Sequence, residues 1–231
     1  MSQIKPQGFT LVELMLAMTF ISALLIAIAM TTIQISNIYT KGITLREVNQ
    51  AGRTFSDDLK RGVAGSEPFD VTLGGADSKY RQYDGGGRLC LGKYSYAWNF
   101  GEAIDAGGAL IENQYANGQA GVIRLVKVND AGGNICKMPK TDIIKNDSTE
   151  LLTEGDRDLV IHKFSIARTQ YDVVSGQAMY AISFTVGTND REQLTTNDAS
   201  CRPPGDNVGN EDYCSVNQFD IIARAGNQSG E

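Results

Sequence analysis

The sequence predicts an α+β protein in which a long N-terminal α-helix, transmembrane in its first half, packs on a mainly antiparallel β-sheet domain. Three observations lead to this prediction. Residues 9–30 are almost all apolar, residues 45–59 repeat apolar side chains every three or four positions, and residues after 63 form short apolar stretches between glycine-rich turns. The first two patterns are typical of helices and the third of strands joined by tight turns.

The first element is a leader of eight residues followed by an apolar run. Residues 1–8 are mostly polar, with Lys5 as their cation, and residues 9–30 form the run. About 20 apolar residues, each rising roughly 1.5 Å, span the ~30 Å hydrocarbon core of a bilayer. A secretory signal peptide would place small residues for cleavage after the run, but no such site follows Met30. Residues 9–30 therefore predict a membrane-spanning helix.

Glu13 is the one charge inside this apolar run. A carboxylate at the centre of a transmembrane helix costs about 2.5–3.5 kcal/mol, and less near an end. Glu13 lies near the N-terminal end, where the helix dipole favours an anion. Two interpretations stay open at this point: the side chain reaches the lipid headgroups, or it has a function.

Residues 8–13, GFTLVE, resemble the class III signal of type IV pilins and of the pseudopilins of type II secretion. The resemblance covers about the first 40 residues. It implies that a prepilin peptidase cuts between Gly8 and Phe9 and that the new N-terminal Phe9 is N-methylated. It also implies that Glu13 is a carboxylate needed for assembly with other subunits.

The second half of the helix, residues 31–62, is predicted to be amphipathic. Its apolar positions follow helical spacing: Leu45, Val48, Ala51, Phe55 and Leu59. The charged side chains lie largely on other faces, which indicates one buried stripe. A glycine after two cations, at Arg61-Gly62, predicts the end of the helix. The whole helix from Phe9 would be on the order of 80 Å long at 1.5 Å per residue.

Residues 63–231 are predicted to form one extracytoplasmic β-rich domain, without an internal repeat or a linker that would divide it. Its glycine-rich turns separate short runs with strand character: residues 68–73, 81–84, 89–91, 94–100, 122–128, 135–137, 159–168, 179–186 and 219–224. Sequential strands without helical segments between them favour an antiparallel sheet.

Charge and cysteine content exclude several classes of protein. The net charge of −6, with dispersed Lys and Arg, argues against nucleic acid as a partner, because phosphate binding needs clustered cations. The four cysteines include no C-x-x-C pair, and His162 is the only histidine, so a zinc site is not expected. An even number of cysteines instead favours disulfides in an oxidising compartment.

Three pairings of the four cysteines are possible. Cys201 and Cys214 bracket a loop rich in Pro, Gly, Asn and Asp, which favours a bond between them and leaves Cys90 with Cys136. Closing such a loop stabilises a fold by about 3 kcal/mol. Four free thiols remain the alternative.

No catalytic constellation is found in the sequence. His162 stands in an alternating stretch, where an outward or hydrogen-bonded histidine is expected rather than a base, and neither G-x-S-x-G nor H-E-x-x-H occurs. The loop between 189 and 214 is acidic, and Asp198, Asp206 and Asp212 could supply oxygen ligands to calcium. Its spacing fits no EF-hand, so a solvated acidic loop is preferred and no cofactor is expected.

Aromatic side chains alternate at Tyr94, Tyr96, Trp98 and Phe100, the period of a strand. They could form an exposed platform for a ligand, but an aromatic stripe of this period more often faces the core of a sheet. The core interpretation is preferred here.

These observations together lead to the expectation of a minor pilin or pseudopilin that is not an enzyme. It would be a single-pass protein of the inner (cytoplasmic) membrane, incorporated into a type IV pilus or a type II secretion pseudopilus. Residues 49–61 also resemble the corresponding helix of the larger J-type pseudopilins. The expected partners are other pilin or pseudopilin subunits, the prepilin peptidase and the membrane. The alternatives are a binding module at a pilus tip and, more remotely, a membrane-tethered enzyme.

Overall fold

The structure, a computed structural model, describes residues 10–106, 110–116, 121–152, 158–195, 200–202 and 214–226. It has the predicted α+β architecture, with one long N-terminal helix packed on antiparallel sheets. The helix α1 spans Leu11–Ala64 without interruption. At 1.5 Å per residue its 54 residues extend about 80 Å.

The C-terminal end of α1 lies beyond the predicted Arg61-Gly62. The helix continues to Ala64, and the N–H of Gly65 donates to the carbonyl of Arg61 at 3.0 Å. Gly62 instead lies inside the helix, where the side chains of Leu91 and Tyr96 approach it closely. A Cβ at this position would lie 3.0 Å from Leu91 Cδ1 and 3.1 Å from the Tyr96 hydroxyl.

The buried stripe of α1 was predicted in part. Val48, Phe55 and Leu59 are buried, as expected, but Leu45 is 49% exposed and that prediction is wrong. The stripe is completed instead by small or polar residues and one valine: Thr44, Gly52, Ser56 and Val63. The Ser56 hydroxyl donates to the carbonyl of Gly52 at 2.8 Å, so its burial leaves no unpaired donor.

The strands form two main sheets and one short pair. The strand bounds are β1 Tyr80–Tyr83, β2 Gly86–Cys90, β3 Tyr94–Asn99, β4 Asn113–Tyr115, β5 Leu125–Asn129, β6 Thr141–Ile143, β7 Ser148–Glu150, β8 Leu159–Asp172, β9 Gln177–Thr188 and β10 Val216–Ala225. The first sheet is antiparallel in the order β1-β2-β3-β5-β7, and the second is antiparallel in the order β10-β9-β8. The remaining pair, β4 with β6, is parallel. A short helix α2, Gly101–Asp105, follows β3.

The main core lies where α1 and both sheets meet, and aromatic rings fill its centre. Phe55 of α1 packs edge-on against Phe184 of β9 and Tyr96 of β3, with ring centroids 4.8 and 5.9 Å apart. Trp98 of β3 lies 4.3 Å from Phe164 of β8. The aromatic alternation in β3 is thus explained by the core, since Tyr96 and Trp98 are fully buried.

A second buried cluster covers the other face of the first sheet. It includes Ala97, Val126 and Ile143, together with both cysteines of the Cys90–Cys136 disulfide. The central strands of the first sheet, β2, β3 and β5, are therefore largely buried on both faces. In β10 of the second sheet, exposed and buried side chains alternate from Asp220 onward.

Two predicted strands are not strands. Residues 68–73 have no regular structure, because Phe69 is held by Tyr180 instead of a neighbouring strand. The two rings stack at 4.3 Å, and the Tyr180 hydroxyl bonds both the N–H and the carbonyl of Phe69. The segment predicted at 135–137 begins as the 3-10 turn Asn134–Cys136, entered through Gly133 in the left-handed region (φ 59°).

Candidate functional site

The N-terminal half of α1 is the part of the described chain with the largest exposed apolar surface. Between Leu11 and Ile38 the large apolar side chains are 46–75% exposed. An 18-residue window of the helix has a mean hydropathy of 2.4 and is not buried anywhere against the protein. By its length and composition this half is a candidate membrane span.

Four hydroxyls of this half are satisfied within the helix itself. The backbone bonds are internal, and these hydroxyls donate to carbonyls three or four residues earlier: Thr19 to Leu16, Ser22 to Met18, Thr31 to Ala27 and Thr32 to Ile28, all at 2.8–2.9 Å. A helix with internally satisfied donors meets the main requirement of a hydrocarbon environment. Glu13 is then the single ionisable side chain from Thr10 to Ile38.

Glu13 forms a capping box at the start of α1. Thr10 is the N-cap residue, and its N–H and hydroxyl both donate to Glu13 Oε2 at 2.9 Å. The N–H of Glu13 donates in return to the Thr10 hydroxyl at 3.3 Å. This reciprocal pairing was not predicted from the sequence, although the spacing T-x-x-E is its known signature.

The face of α1 that carries Glu13 is otherwise apolar. Glu13 lines a shallow groove along the helix with Leu16, Ala17, Thr19 and Phe20. Oε1 of Glu13 makes no hydrogen bond within the described residues, whereas Oε2 accepts two. The site can therefore offer one carboxylate oxygen, in an apolar setting, to a cation from another molecule.

Gly8 and Phe9, the predicted cleavage and methylation site, lie outside the described residues. So do Asp198, Asp206 and Asp212 of the acidic loop. Within the described part of the chain, no three His, Cys, Asp or Glu side chains are grouped to hold a metal ion.

The cysteines form the two disulfides that the sequence analysis favoured, Cys90–Cys136 and Cys201–Cys214. No free cysteine remains. The first bond ties β2 to the turn after β5, and the second joins the ends of the loop that precedes β10.

His162 is buried and bonded, as expected for a structural histidine. Its Nε2 lies 3.1 Å from the carbonyl of Thr188, and it sits at a β-bulge between Ile161 and Lys163. The bulge interrupts the alternation on which the sequence analysis relied, so that four consecutive residues from Leu159 are buried.

Asp58 of α1 connects the helix to the first sheet. It accepts a hydrogen bond from the Tyr96 hydroxyl at 2.7 Å and pairs with Lys127 Nζ at 2.8 Å. Burial raises the pKa of the Tyr96 hydroxyl, and the hydrogen bond to Asp58 raises it further.

Arg88 is fully buried beneath the first sheet, where its guanidinium donates to Asn113 Oδ1 and to three backbone carbonyls. Burial lowers the pKa of Arg88, and the carbonyl acceptors fix it as a structural group.

The end of the molecule opposite the apolar half carries two exposed features. β10 runs alongside α1 in the same direction. Two hydrogen bonds show this: the Asn217 side-chain amide donates to the Asn49 side chain, and the Gly226 N–H donates to the carbonyl of Ser66. The β8–β9 turn therefore lies near the C-terminal end of α1, and its Val173 and Val174 are 81% and 97% exposed. A cleft of about 620 Å³ lies at the same end, with Phe69 and Leu91 among its lining residues.

Comparisons with protein-family models, with characterised proteins and with solved structures found no significant match to this chain.

Proposed function

We propose that this chain is a minor pilin or pseudopilin, a membrane-anchored structural subunit of a type IV pilus or a type II secretion pseudopilus. The first half of α1 anchors it in the inner membrane and packs against other subunits. The β-rich domain lies outside the cytoplasm and does not act as an enzyme.

The observation that carries the proposal is the motif GFTLVE at residues 8–13, which leads into the apolar half of α1 and supplies the one ionisable group of that half, Glu13. The helix half has no partner within the described protein, and its apolar surface matches a bilayer or a bundle of similar helices. The two disulfides agree with an extracytoplasmic domain, since such bonds persist in oxidising compartments.

Glu13 supplies the mechanism by which one subunit assembles on another. After cleavage at Gly8, the amine of Phe9 on a neighbouring subunit is cationic, also when it is N-methylated. Pairing that amine with Glu13 removes most of the cost of a carboxylate in an apolar setting, because an unpaired buried charge costs several kcal/mol. The same pairing fixes the axial register between two helices.

Processing of the leader tests the proposal. Mass spectrometry of the native protein should find N-methylated Phe9 at the mature terminus. Gly8→Ala should leave residues 1–8 attached, because the peptidase requires a residue without a side chain there. A mature terminus beyond Met30 would identify an ordinary signal peptide and overturn the proposal.

A binding role at the tip of the filament is the second candidate, and the exposed valines at the far end of the domain favour it. Val173 and Val174 project from a turn fixed by Asp172, whose carboxylate accepts from the Val174 N–H and the Ser175 hydroxyl. Apolar side chains displayed on a rigid turn are suited to contact another surface. Replacing both valines with Ser should abolish adhesion and leave filament assembly intact if this role is correct.

A further inference from the structure

Four segments of the chain enclose the cleft of about 620 Å³ at the end of the molecule opposite the apolar half of α1. They are residues 65–70 after α1, residues 77 and 79 before β1, residues 90–93 of the β2–β3 turn and residues 131–133 of the turn after β5. The volume is within the range of ligand sites, about 300–1,000 Å³. We call this cavity the distal cleft.

The walls of the distal cleft are held by hydrogen bonds within the protein. The Tyr180 hydroxyl bonds both backbone groups of Phe69, as in the fold. The carbonyl of Lys93 accepts from the Asp130 N–H at 3.1 Å, which ties the β2–β3 turn to the turn after β5. The Asp130 carboxylate accepts in turn from the N–H of Asn134 at 2.9 Å. The cleft is therefore preformed.

Lys79 places a cation without a partner in the distal cleft. Its N–H donates to the carbonyl of Asp70 and its carbonyl accepts from the N–H of Cys90, both at 2.8 Å, so its backbone is fixed on two sides. Its Nζ lies 3.9 Å from the position that a Cβ on Gly133 would occupy. The side chain is half-buried, and Nζ makes no hydrogen bond or ion pair among the described residues. A partly desolvated ammonium of this kind favours an anion from outside the protein, because burying a charge is costly unless it is paired.

Main-chain donors and apolar side chains complete the distal cleft. Gly92, Ala131 and Gly132 line it, and their N–H groups make no hydrogen bond within the part of the chain that the structure describes. Its apolar lining includes Leu91. Backbone donors on two turns match the carbonyls of an extended peptide, and the Lys79 ammonium matches a carboxylate at the end of that peptide.

Three acids also line the distal cleft and restrict its ligand. The Asp70 carboxylate accepts from the N–H and the hydroxyl of Thr72 and forms no ion pair with Lys79. Glu67 and Asp77 are exposed. These negative charges repel a ligand with several anionic groups, such as a nucleic acid or a polyphosphate, whereas a single carboxylate beside the ammonium is still attracted.

We propose that the distal cleft binds the C-terminal end of a peptide or of an unfolded protein segment. The terminal carboxylate pairs with Lys79, and an apolar last side chain packs against Leu91. This binding site goes beyond the structural role of the proposed function. It depends neither on cleavage at Gly8 nor on membrane anchorage, so a failure of leader processing would leave this inference standing.

The test measures peptide binding by the purified full chain in lipid nanodiscs, with empty nanodiscs as the background. The probe is a pool of N-acetylated pentapeptides with random uncharged residues and a final Leu, prepared once with a free C-terminal carboxylate and once as the amide. Lys79→Met removes the ammonium and keeps an unbranched side chain, whereas Lys79→Arg keeps the charge. Lys140→Met is the matched control, because Lys140 is an exposed cation outside the cleft. Thermal unfolding of every variant is compared first, so that a failure to fold is recognised separately.

The inference predicts that the wild-type chain retains the carboxylate pool in preference to the amide pool. The affinity for the retained peptides should fall about tenfold or more in Lys79→Met, since a hydrogen bond between charged groups is lost. It should fall less in Lys79→Arg and stay unchanged in Lys140→Met. Equal retention of the two pools, or an equal loss in Lys140→Met, would overturn the inference.

Two further outcomes would assign the distal cleft to another occupant and overturn the inference as well. N-acetyl-leucine that binds as tightly as the pentapeptides would identify a site for small carboxylic acids. Peptide binding that appears only after residues 227–231 are removed would assign the cleft to a segment of this chain, because Gly226 is bonded to Ser66 of the cleft wall.

Discussion

At the residue scale, Glu13 has two roles that can be separated by substitution. It caps α1 through Thr10, and in the proposed function it pairs with the amine of a neighbour. Glu13→Leu removes both the cap and the charge. Glutamine at this position keeps an oxygen that can accept from Thr10 and removes only the charge.

Glu13→Gln should therefore insert and be processed normally but fail to cross-link with sister subunits in membranes. Thr10→Val is the matched variant, since it removes the hydroxyl half of the cap and leaves the charge. It should still assemble, while losing about 1 kcal/mol of helix stability. Glu13→Asp should assemble partly, because its reach is shorter by one methylene. Normal incorporation of Glu13→Gln would show that capping, not charge, is what α1 needs from this side chain.

Glu150 gives the fold a pH dependence. Its carboxylate accepts from the N–H groups of Arg124, Leu125 and Leu152, but burial outweighs these bonds and raises its pKa to about 7. In an unfolded chain the pKa of a glutamate is about 4.3. Between these values the folded protein holds a proton that the unfolded chain has released, so stability falls as the pH rises.

The free energy of unfolding of wild type should thus decrease from about pH 5 to pH 8 more steeply than that of Glu150→Gln, which does not titrate. Denaturant unfolding of both proteins across this range measures the difference, because the contributions of all other titrating groups are common to the two proteins and cancel. If the free energy of unfolding had the same pH dependence in wild type and in Glu150→Gln, the three N–H donors would hold the carboxylate of Glu150 ionised at all these pH values.

At the scale of elements, the packing of α1 on β10 depends on a glycine. A Cβ on Gly52 would overlap the ring of Phe219, whereas Gly42 has open space around it. Both glycines are inside the same helix, where alanine is intrinsically better by about 0.8–1.0 kcal/mol.

Gly42→Ala should therefore raise the free energy of unfolding by up to about 1 kcal/mol. Gly52→Ala should lower it by about 1–3 kcal/mol, because the ring of Phe219, which is half-buried against the core, must move away from the helix. Thermal unfolding of the full chain in one detergent compares the two. Stabilisation by both substitutions would show that Phe219 can be accommodated elsewhere.

The same contact explains what the sequence could and could not predict. Heptad-like spacing identified Val48, Phe55 and Leu59, because large apolar residues at helical intervals have no other reason to recur. It missed Gly52 and included Leu45, since a glycine has no hydrophobicity of its own and is buried here only because Phe219 arrives from a strand 167 residues later. The longest strands were located from their alternation, whereas the segment near Phe69 depends on a tyrosine that is distant in sequence.

The features proposed to have a function also divide into those that the sequence alone locates and those that depend on tertiary structure. The apolar run and Glu13 are local features, so the sequence alone located them. The direction of the domain relative to the helix is a tertiary property, set by contacts such as Asn49–Asn217 and Ser66–Gly226. The two exposed valines could be recognised as the far end of the molecule only from that arrangement.

At the scale of the whole molecule, α1 is both an anchor and part of the core. Val48, Leu59 and Val63 are fully buried, and Phe55 is 1% exposed between the two sheets. Without this half of the helix, the inner faces of both sheets would meet water. Burying each such side chain contributes roughly 1.5–3 kcal/mol, and the total stability of a domain is only about 5–15 kcal/mol.

Two truncated chains test this dependence. A chain of residues 42–231 keeps the buried half of α1 and should unfold in one cooperative thermal transition. A chain of residues 65–231 keeps all four cysteines but lacks the half helix, and it should bind a hydrophobic dye and show no such transition. Leu59→Ala in the longer chain should cost about 2–5 kcal/mol. Cooperative unfolding of the shorter chain at the same temperature would mean that the helix only tethers a finished domain. If the shorter chain fails as expected, the domain cannot swivel on its anchor without unfolding, and the direction of α1 in a membrane or filament fixes which surface it presents.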